Sequence, residues 1–277
     1  MINKVIQISD IHIPNDETKK PFGLLLDQFL EQLYHSEIEG QNSDEIRIVL
    51  CGDIFEHKLN TKNEAITTFH NLLNKCNNFC KTYIIAGNHD MLDSNHDRVD
   101  SIMPTFTINE GYSNIVYLEK ELNFKSGYWI DDNIIWNVFS RYDNFNSTSI
   151  KHDDYPNHKI IGLFHGDIKG SVTDAGYKST EGVNLDIFND CDCVMAGHIH
   201  KYQTLYTNNN KPIVYASSLF QHDIGENVSG HGYVVWNINT MDYTFKEVEN
   251  DYCNYKYIIT SSNEKELEKQ LKKPINF

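Results

Sequence analysis

The first ninety residues alternate short apolar runs with longer segments in which apolar residues recur at helical spacing. Each apolar run is short enough to be a buried strand, and each segment between them has one apolar face. The predicted strands are residues 4–9, 46–50 and 82–86, and the predicted helices are residues 22–37 and 61–80. Thr61 and Glu64 have the spacing of a capping box at the start of the second helix. Strand and helix in alternation predict a mostly parallel sheet with right-handed crossovers.

The chain beyond residue 110 consists mainly of short apolar runs separated by turn residues. Asp132-Asn133, Asn208-Asn209-Asn210 and Asn239-Thr240 stand between such runs and predict hairpins. The predicted strands are residues 115–118, 128–130, 134–139, 159–164, 194–196, 202–206, 213–216, 233–238 and 243–248. We therefore expect an α/β fold in which a mixed first sheet packs on a largely antiparallel second sheet, with helices outside both, as a four-layer α-β-β-α sandwich.

The pattern changes again after about residue 250. Residues 255–260 predict a strand and residues 263–272 a charged helix, which is too little for a complete unit. We expect a main domain over residues 1–250 and the incomplete beginning of a small α+β cap over residues 251–277. The polar segment 166–182 predicts a long loop, and a long loop beside chemistry is usually functional.

Composition restricts the class of protein. The chain has 277 residues, an ordinary charged fraction of 23% and a net charge of −15. This acidic balance speaks against a broad nucleic-acid-binding face. No apolar stretch is long enough to span a membrane, and the N-terminus leads directly into a strand without room for a signal peptide. Six cysteines without paired C-x2-C spacing are typical of reduced structural thiols, and we expect a cytoplasmic protein.

Five short motifs place Asp, His or Asn directly after an apolar run, where layered α/β proteins present ligand-binding loops. They are Asp10-Ile11-His12, Gly52-Asp53, Gly87-Asn88-His89-Asp90, His165-Gly166 and Gly197-His198-Ile199-His200. Residues two apart in an extended segment point the same way, so each D-x-H or H-x-H pair can face one cation. Asp-x-His or Gly-Asp alone is common in ordinary turns, but the complete ordered set is hard to explain as packing.

These residues predict a two-metal site that hydrolyses a phosphate ester. The first metal is assigned to Asp10, His12, Asp53 and His200, and the second to Asp53, Asn88, His165 and His198. Nitrogen and oxygen ligands without thiolate suit Mn²⁺, Fe²⁺ or Zn²⁺. Two such cations would clamp the phosphate and bind a bridging hydroxide as the nucleophile. His89 has no metal in this scheme and is predicted to protonate the leaving oxygen, with Asp90 orienting its ring.

The five motifs resemble the calcineurin-like metallophosphoesterase superfamily, whose double β-sandwich agrees with the predicted fold. Two further stretches resemble its DNA double-strand-break repair nucleases, the SbcCD-type group with phage recombination relatives. One is Gly52-Asp53-Ile54-Phe55, and the other extends from Gly197 through Gln203, Pro212 to Ser218, Glu226 and Gly232-Tyr233.

One departure from this group concerns the substrate. Many members carry His three residues after the shared Asp, where it contacts the scissile phosphate. Glu56 occupies that position here and His57 follows it. We assign Glu56, His57 and Ser217 to substrate binding.

The resemblance implies a nuclease that works with Mn²⁺, or with Mg²⁺, Fe²⁺ or Zn²⁺, on DNA. It implies exonuclease and single-strand endonuclease activity in recombination or repair, together with an SMC-type ATPase subunit whose binding segment would lie beyond this chain. Dimerisation through helices is a further implication. The helical residues that would serve either as a dimer surface or as ordinary core are Ile66, Phe69, Leu72, Leu73, Ile102, Met103 and Phe106.

Two other functions remain open from the residues. A phosphodiesterase acting on nucleotides or other small phosphoesters would use the same metals, and the acidic charge suits it better. A scaffold protein with an inactive site is the third, although all seven ligands are present. The Asn-, Ile- and Tyr-rich composition is compatible with an AT-rich genome, such as that of a virus acting in a host cell.

Overall fold

The computed structural model describes residues 1–15, 22–58, 60–108, 111–146 and 150–250. The predicted cap, residues 251–277, lies outside the described residues. Twelve strands form two six-stranded sheets within the described part of the chain, and this double-sheet sandwich is the predicted fold.

The first sheet has the order β12-β11-β1-β2-β3-β4. Strands β1 to β4 are parallel, and β11 and β12 add antiparallel partners at the β1 edge. Its strands are β1 (Lys4–Ile8), β2 (Ile46–Cys51), β3 (Lys81–Ile85), β4 (Ile115–Tyr117), β11 (Gly232–Asn237) and β12 (Asp242–Glu247). The prediction of a mixed first sheet is confirmed.

The second sheet has the order β5-β6-β7-β8-β10-β9 and is also mixed. Its strands are β5 (Gly127–Asp131), β6 (Ile134–Phe139), β7 (Lys159–His165), β8 (Cys193–Gly197), β9 (Gln203–Tyr206) and β10 (Pro212–Tyr215). Only the two edge pairs are antiparallel hairpins, while β6, β7, β8 and β10 are parallel. The prediction of a largely antiparallel sheet is therefore wrong. Hairpin turns are visible in local sequence, but long crossovers decide the direction of the central strands.

Helices cover the outer face of the first sheet. They are α1 (Phe22–Leu33), continued by a π-helical segment Tyr34–Ile38, α2 (Asn63–Phe79) and α3 (Met103–Ile108). The short helix α4 (Leu118–Glu121) follows β4, and its Leu118 packs in the core between the sheets. The predicted capping box is wrong, because α2 begins at Asn63 and the Thr61 hydroxyl donates to the backbone oxygen of His57 instead. Short 3-10 segments and loops, including Leu185–Phe188, pack on the outer face of the second sheet.

The core between the sheets is apolar and fully buried. Trp136, Leu163 and Val214 from the second sheet meet Val49 and Trp236 from the first. A side chain of this size contributes roughly 1.5–3 kcal/mol when it is fully buried. This core holds the two sheets face to face and so fixes the strand ends on which the site is built.

The residues named for a dimer surface are mostly core. Phe69, Leu72, Leu73 and Ile102 are buried within the chain, whereas Ile66 is 38% exposed. The first four therefore serve the alternative role of ordinary core, and dimerisation stays a prediction. The five described cysteines are free and buried. Within the described ranges, no helix has the length and apolarity that a membrane span requires.

Candidate metal centre

The seven predicted ligands come together where the two sheets meet. Asp10 and Asp53 follow β1 and β2 of the first sheet, and Asn88 follows β3. His165 ends β7, and His198 follows β8 in the second sheet. The carboxyl ends of parallel strands meet at one edge, and here two such edges face each other.

The first half-site consists of Asp10, His12 and His200 together with Asp53. The Nε2 atoms of His12 and His200 lie 3.1 Å apart. Asp10 Oδ1 lies 3.6 Å from His200 Nε2, and Asp53 Oδ2 lies 3.7 Å from His12 Nε2. Two nitrogen and two carboxylate donors therefore point at one small volume.

The second half-site consists of Asn88, His165 and His198 together with Asp53. Asp53 Oδ2 lies 3.2 Å from His165 Nε2, and the Asn88 side-chain oxygen lies at the same distance from that atom. Asn88 Oδ1 is also 2.6 Å from His198 Nδ1. His198 thus turns Nδ1 inward where the other histidines use Nε2. The same oxygen of Asp53 therefore lies near histidines of both half-sites.

Strained backbone holds several of these ligands. Asp10, His12, Asp53 and His198 all have positive φ, at 51°, 50°, 50° and 100°. Non-glycine residues adopt this region rarely and at a cost of about 1–3 kcal/mol, and such strain clusters at functional sites. Backbone hydrogen bonds hold the chain in this conformation. One of them joins the His12 amide to the Asp53 carbonyl at 3.0 Å.

Glycines in the motifs make room for the ligands. A Cβ on Gly87 would collide with the Asp53 carboxylate, and a Cβ on Gly197 would collide with the Ser9 hydroxyl and the Cys51 carbonyl. The glycine of the Gly-Asn-His-Asp motif is therefore needed because the shared ligand lies against its backbone.

The electrostatics of the site favour added positive charge. Burial would raise the pKa of the Asp53 carboxyl, but His165, His12 and His89 hold it below its usual range. Burial opposes protonation of His165, yet Asp53 raises the pKa of that imidazole to about 9. Burial also opposes protonation of His200, but its hydrogen bond to Glu226 and the charge of Asp10 raise the pKa of this imidazole to about 9. Protons and metal ions compete for such nitrogens, so the negative field that holds the protons also attracts cations.

The donor set fits two divalent cations. Each half-site offers two imidazole nitrogens and two oxygens without thiolate, which suits borderline transition metals.

His89 lies beside the first half-site. Its ring centroid is 4.8 Å from that of His12, and its Nδ1 donates to the Glu56 backbone oxygen at 2.8 Å. The prediction that Asp90 orients this ring is wrong. The Asp90 carboxylate is fully buried and accepts from the backbone amides of Ile54, Phe55 and Gly87. Asp90 therefore ties the Asp53 loop to the Asn88 loop, because an inward-pointing carboxylate satisfies amides that neither loop can pair alone.

The three residues that we assigned to substrate binding have different surroundings. Glu56 Oε2 lies 3.2 Å from His12 Nδ1, the ring nitrogen that the first half-site does not use, so this side chain contacts the half-site through His12. The His57 side chain is exposed, and among the described residues it belongs to none of the groups that could hold a metal ion. Ser217 is fully buried, and its hydroxyl bonds the Ser218 carbonyl and the Gly232 amide. The structure contradicts its assignment to substrate binding, because this hydroxyl is buried and hydrogen-bonded to the backbone, so a substrate cannot reach it.

Three residues without a predicted role contact the ligands. Glu226 Oε1 lies 2.6 Å from His200 Nδ1, and Asp167 Oδ2 lies 3.3 Å from His198 Nε2. His222 stacks on His12 with centroids 4.2 Å apart, and its Nε2 lies 3.1 Å from Glu56 Oε2. Glu226 lies in the second nuclease-like stretch, so the sequence did contain a signal that this residue belongs to the site. Asp167 and His222 lie in loops whose sequence does not indicate which ligand they reach.

Comparison with protein families identifies one match over most of the chain. The family described as calcineurin-like phosphoesterase matches residues 3–202. A curated relative, the uncharacterized protein R555 of Acanthamoeba polyphaga mimivirus, is 32% identical over 267 residues. That alignment covers 93% of this chain but 19% of the relative, so the chain spans about a fifth of that protein's length.

Solved structures give a similar result for the fold. A dimetal phosphatase from Danio rerio has a TM-score of 0.51 at 10% identity, with 86% of this chain and 93% of that chain covered. A cold-active protein-tyrosine phosphatase of a Shewanella species has a TM-score of 0.40 at 14% identity, with 90% and 81% covered. At 10% identity, the likeness to the Danio rerio phosphatase shows the fold alone.

Proposed function

The chain belongs to the calcineurin-like phosphoesterase family, and we propose that within it this protein is a two-metal-dependent DNA nuclease. Membership of the family implies a metal-dependent hydrolase of phosphoester bonds. The proposed substrate is the phosphodiester of DNA, cleaved from ends and within single strands, in recombination or repair. Mn²⁺ is the proposed metal, since imidazole nitrogens and carboxylate oxygens are mixed in both half-sites.

The observation that carries the nuclease proposal is the position of residues that the nuclease-like stretches add to the superfamily motifs. Gln203 bonds both backbone groups of Val172 at 2.8 Å and so holds the long loop after His165. Tyr215 donates to the Gly166 carbonyl at 2.8 Å. Glu226 contacts His200. The added residues therefore pack around the ligands, which supports a shared site architecture with the nuclease group.

The side chains have separate tasks in the proposed reaction. Asp10, His12, Asp53 and His200 would hold one cation, and Asp53, Asn88, His165 and His198 the other. When bound, the two cations supply an activated water and neutralise charge on the phosphate. His89 donates through Nδ1 to a carbonyl, so a protonated ring carries its second proton on Nε2. That proton is the one His89 would give to the leaving oxygen.

The partners of the proposed function are DNA and an SMC-type ATPase subunit. A net charge of −15 opposes long-range attraction to DNA, so contact would depend on the cations and on the ATPase partner. The viral relative is about five times as long as the match, and assembly in the intact system is part of the proposal.

The test is cleavage of end-labelled single- and double-stranded DNA by the purified chain, with Mn²⁺ and with Mg²⁺. We expect Mn²⁺-dependent degradation that Asp53→Ala abolishes. Asp27→Ala is the matched aspartate control, because its side chain is 47% exposed and pairs with Lys75. Cleavage that survives Asp53→Ala would come from a contaminant and would refute the proposal.

The acidic charge favours a second candidate, a phosphodiesterase of nucleotides or other small phosphoesters. Such substrates need no extended basic surface. Hydrolysis of bis-p-nitrophenyl phosphate or cyclic nucleotides without DNA cleavage, under the same conditions and with the same variants, would select this candidate.

A further inference from the structure

We propose that Glu226 is a positioning residue of the first half-site, which orients His200 and thereby sets the metal affinity of that half-site. The inference rests on the proposed function only in requiring that the site binds divalent cations. Glu226 itself touches neither the substrate nor the reacting atoms. It acts through the imidazole of His200, with which it shares a hydrogen bond.

The contact is short and rigid. Glu226 Oε1 lies 2.6 Å from His200 Nδ1, below the usual 2.7–2.9 Å of a charge-assisted N–H···O bond. The other oxygen accepts from the His222 amide at 2.8 Å and from the Ser218 hydroxyl at 3.4 Å. The Glu226 side chain is 7% exposed. A carboxylate with three donors and little contact with water holds its direction.

This contact selects one tautomer of His200. A carboxylate oxygen accepts, so the proton of the neutral ring lies on Nδ1 and the lone pair on Nε2. Nε2 is the atom that lies 3.1 Å from His12 Nε2 and 3.6 Å from Asp10 Oδ1. Carboxylates behind metal-bound histidines orient the ring and raise its basicity, and their loss typically costs about 10–100-fold in metal affinity.

The second half-site offers a built-in comparison. Asp167 stands behind His198 in the same way, but at 3.3 Å and with 42% of its side chain exposed. Water competes for such a carboxylate and screens it, so its effect should be smaller. Asp174 offers another control, because its carboxylate interacts with Glu226 and His200 through charge.

The experiment measures Mn²⁺ dissociation constants by electron paramagnetic resonance, half-site by half-site. His165→Ala disables the second half-site, so the remaining constant reports the first. In this background Glu226→Gln should weaken binding by about 10–100-fold, and Asp174→Asn by clearly less. In a His200→Ala background, Glu226→Gln should leave the remaining affinity unchanged. Asp167→Asn should affect only the half-site that contains His198.

Three results would overturn the proposal. Glu226→Gln could leave the first half-site unchanged, it could weaken both backgrounds equally, or Asp174→Asn could match its effect. Thermal unfolding of the apoproteins checks that each variant is folded. Should Glu226→Gln unfold, histidine ¹⁵N spectra of the Zn²⁺-loaded wild-type protein decide, because the proposal requires the His200 proton on Nδ1. A wild-type chain that binds no Mn²⁺ would instead refute the proposed function.

Discussion

The two half-sites share Asp53 but differ in charge and enclosure. The first adds a second ligand carboxylate, Asp10, whereas the second adds the neutral amide of Asn88. The carboxylate behind the first, Glu226, is nearly buried, while Asp167 behind the second is 42% exposed. Each unit of negative charge at about 4 Å attracts a cation more strongly where water is excluded. We therefore expect the first half-site to fill at lower metal concentration and the second to exchange its metal more readily.

We therefore expect the two half-sites to have different tasks, although their ligand motifs look alike in the sequence. A tightly held cation would keep the first half-site assembled, and an exchangeable one would make activity depend on the metal supply.

Asp53→Ala removes the carboxylate that we assign to both half-sites. Each cation contributes several kcal/mol to catalysis and about 1.4 kcal/mol corresponds to tenfold, so hydrolysis should fall about 10⁴-fold or more. Mn²⁺ titration should show both half-sites weakened. Asp10→Ala is the control and should weaken mainly the first. If one half-site keeps wild-type affinity in Asp53→Ala, the carboxylate is not shared.

His89→Gln should lower the single-turnover rate by about 10²–10⁴-fold, the usual contribution of a general acid. Mn²⁺ affinity should not change, because His89 belongs to neither half-site. The control is a substrate with a good leaving group, such as p-nitrophenolate, on which the variant should lose much less. Equal losses on both substrates would exclude the role of proton donor.

Glu119 lies behind the second half-site, and its ionisation makes the stability of the fold depend on pH. It is 1% exposed, accepts from Ser140 Oγ at 2.6 Å and bonds the backbone of Ala86, two residues before Asn88. Burial, with the charge of Asp100, raises its pKa from 4.5 to about 8. The folded state therefore holds this proton more tightly than the unfolded state. This contribution is complete below about pH 4.5 and is lost as pH rises towards 8.

Stability should fall by a few kcal/mol over that range, since one pKa unit corresponds to about 1.4 kcal/mol. Glu119→Gln cannot ionise and should lose less. The measurement is the denaturation midpoint of both proteins between pH 5 and pH 9 in the absence of metal. Parallel pH profiles of wild type and variant would show that Glu119 is not the responsible group.

Asn88→Asp sharpens the contrast by giving the second half-site the charge of the first. Its Mn²⁺ affinity should rise on the order of tenfold, which is well below the full attraction of a unit charge at this distance. The measurement is Mn²⁺ titration, with the first half-site as internal reference. Unchanged affinity would mean that enclosure, and not charge, separates the half-sites.

The fold was predictable where a signal is local. The strand–helix alternation over residues 4–86 and the hairpin turns at Asp132 and Asn210 are properties of short segments, and the structure has them there. The direction of β7 and β8 was not predictable in this way, because it depends on crossovers and on contacts between strands. Thr61 illustrates a related error, since its hydroxyl reaches a carbonyl four residues before it and not the helix it precedes.

The site shows the same division. Asp90 directly follows His89 in the sequence, which suggested that it orients the His89 ring. In the structure its carboxylate instead accepts hydrogen bonds from three backbone amides. Ser217 had a suitable residue type, but the sheet buries it.

The positions of the seven predicted ligands could be inferred from the chain, because a polar residue that directly follows a buried strand lies at the edge of a sheet. Which atoms converge, and which carboxylates stand behind the histidines, depended on the packing of two sheets. His198 meets an amide 110 positions away, and His12 meets His200 across 188 positions. Periodicity and local propensity carry no information over such separations, so only the folded arrangement makes the two half-sites unequal.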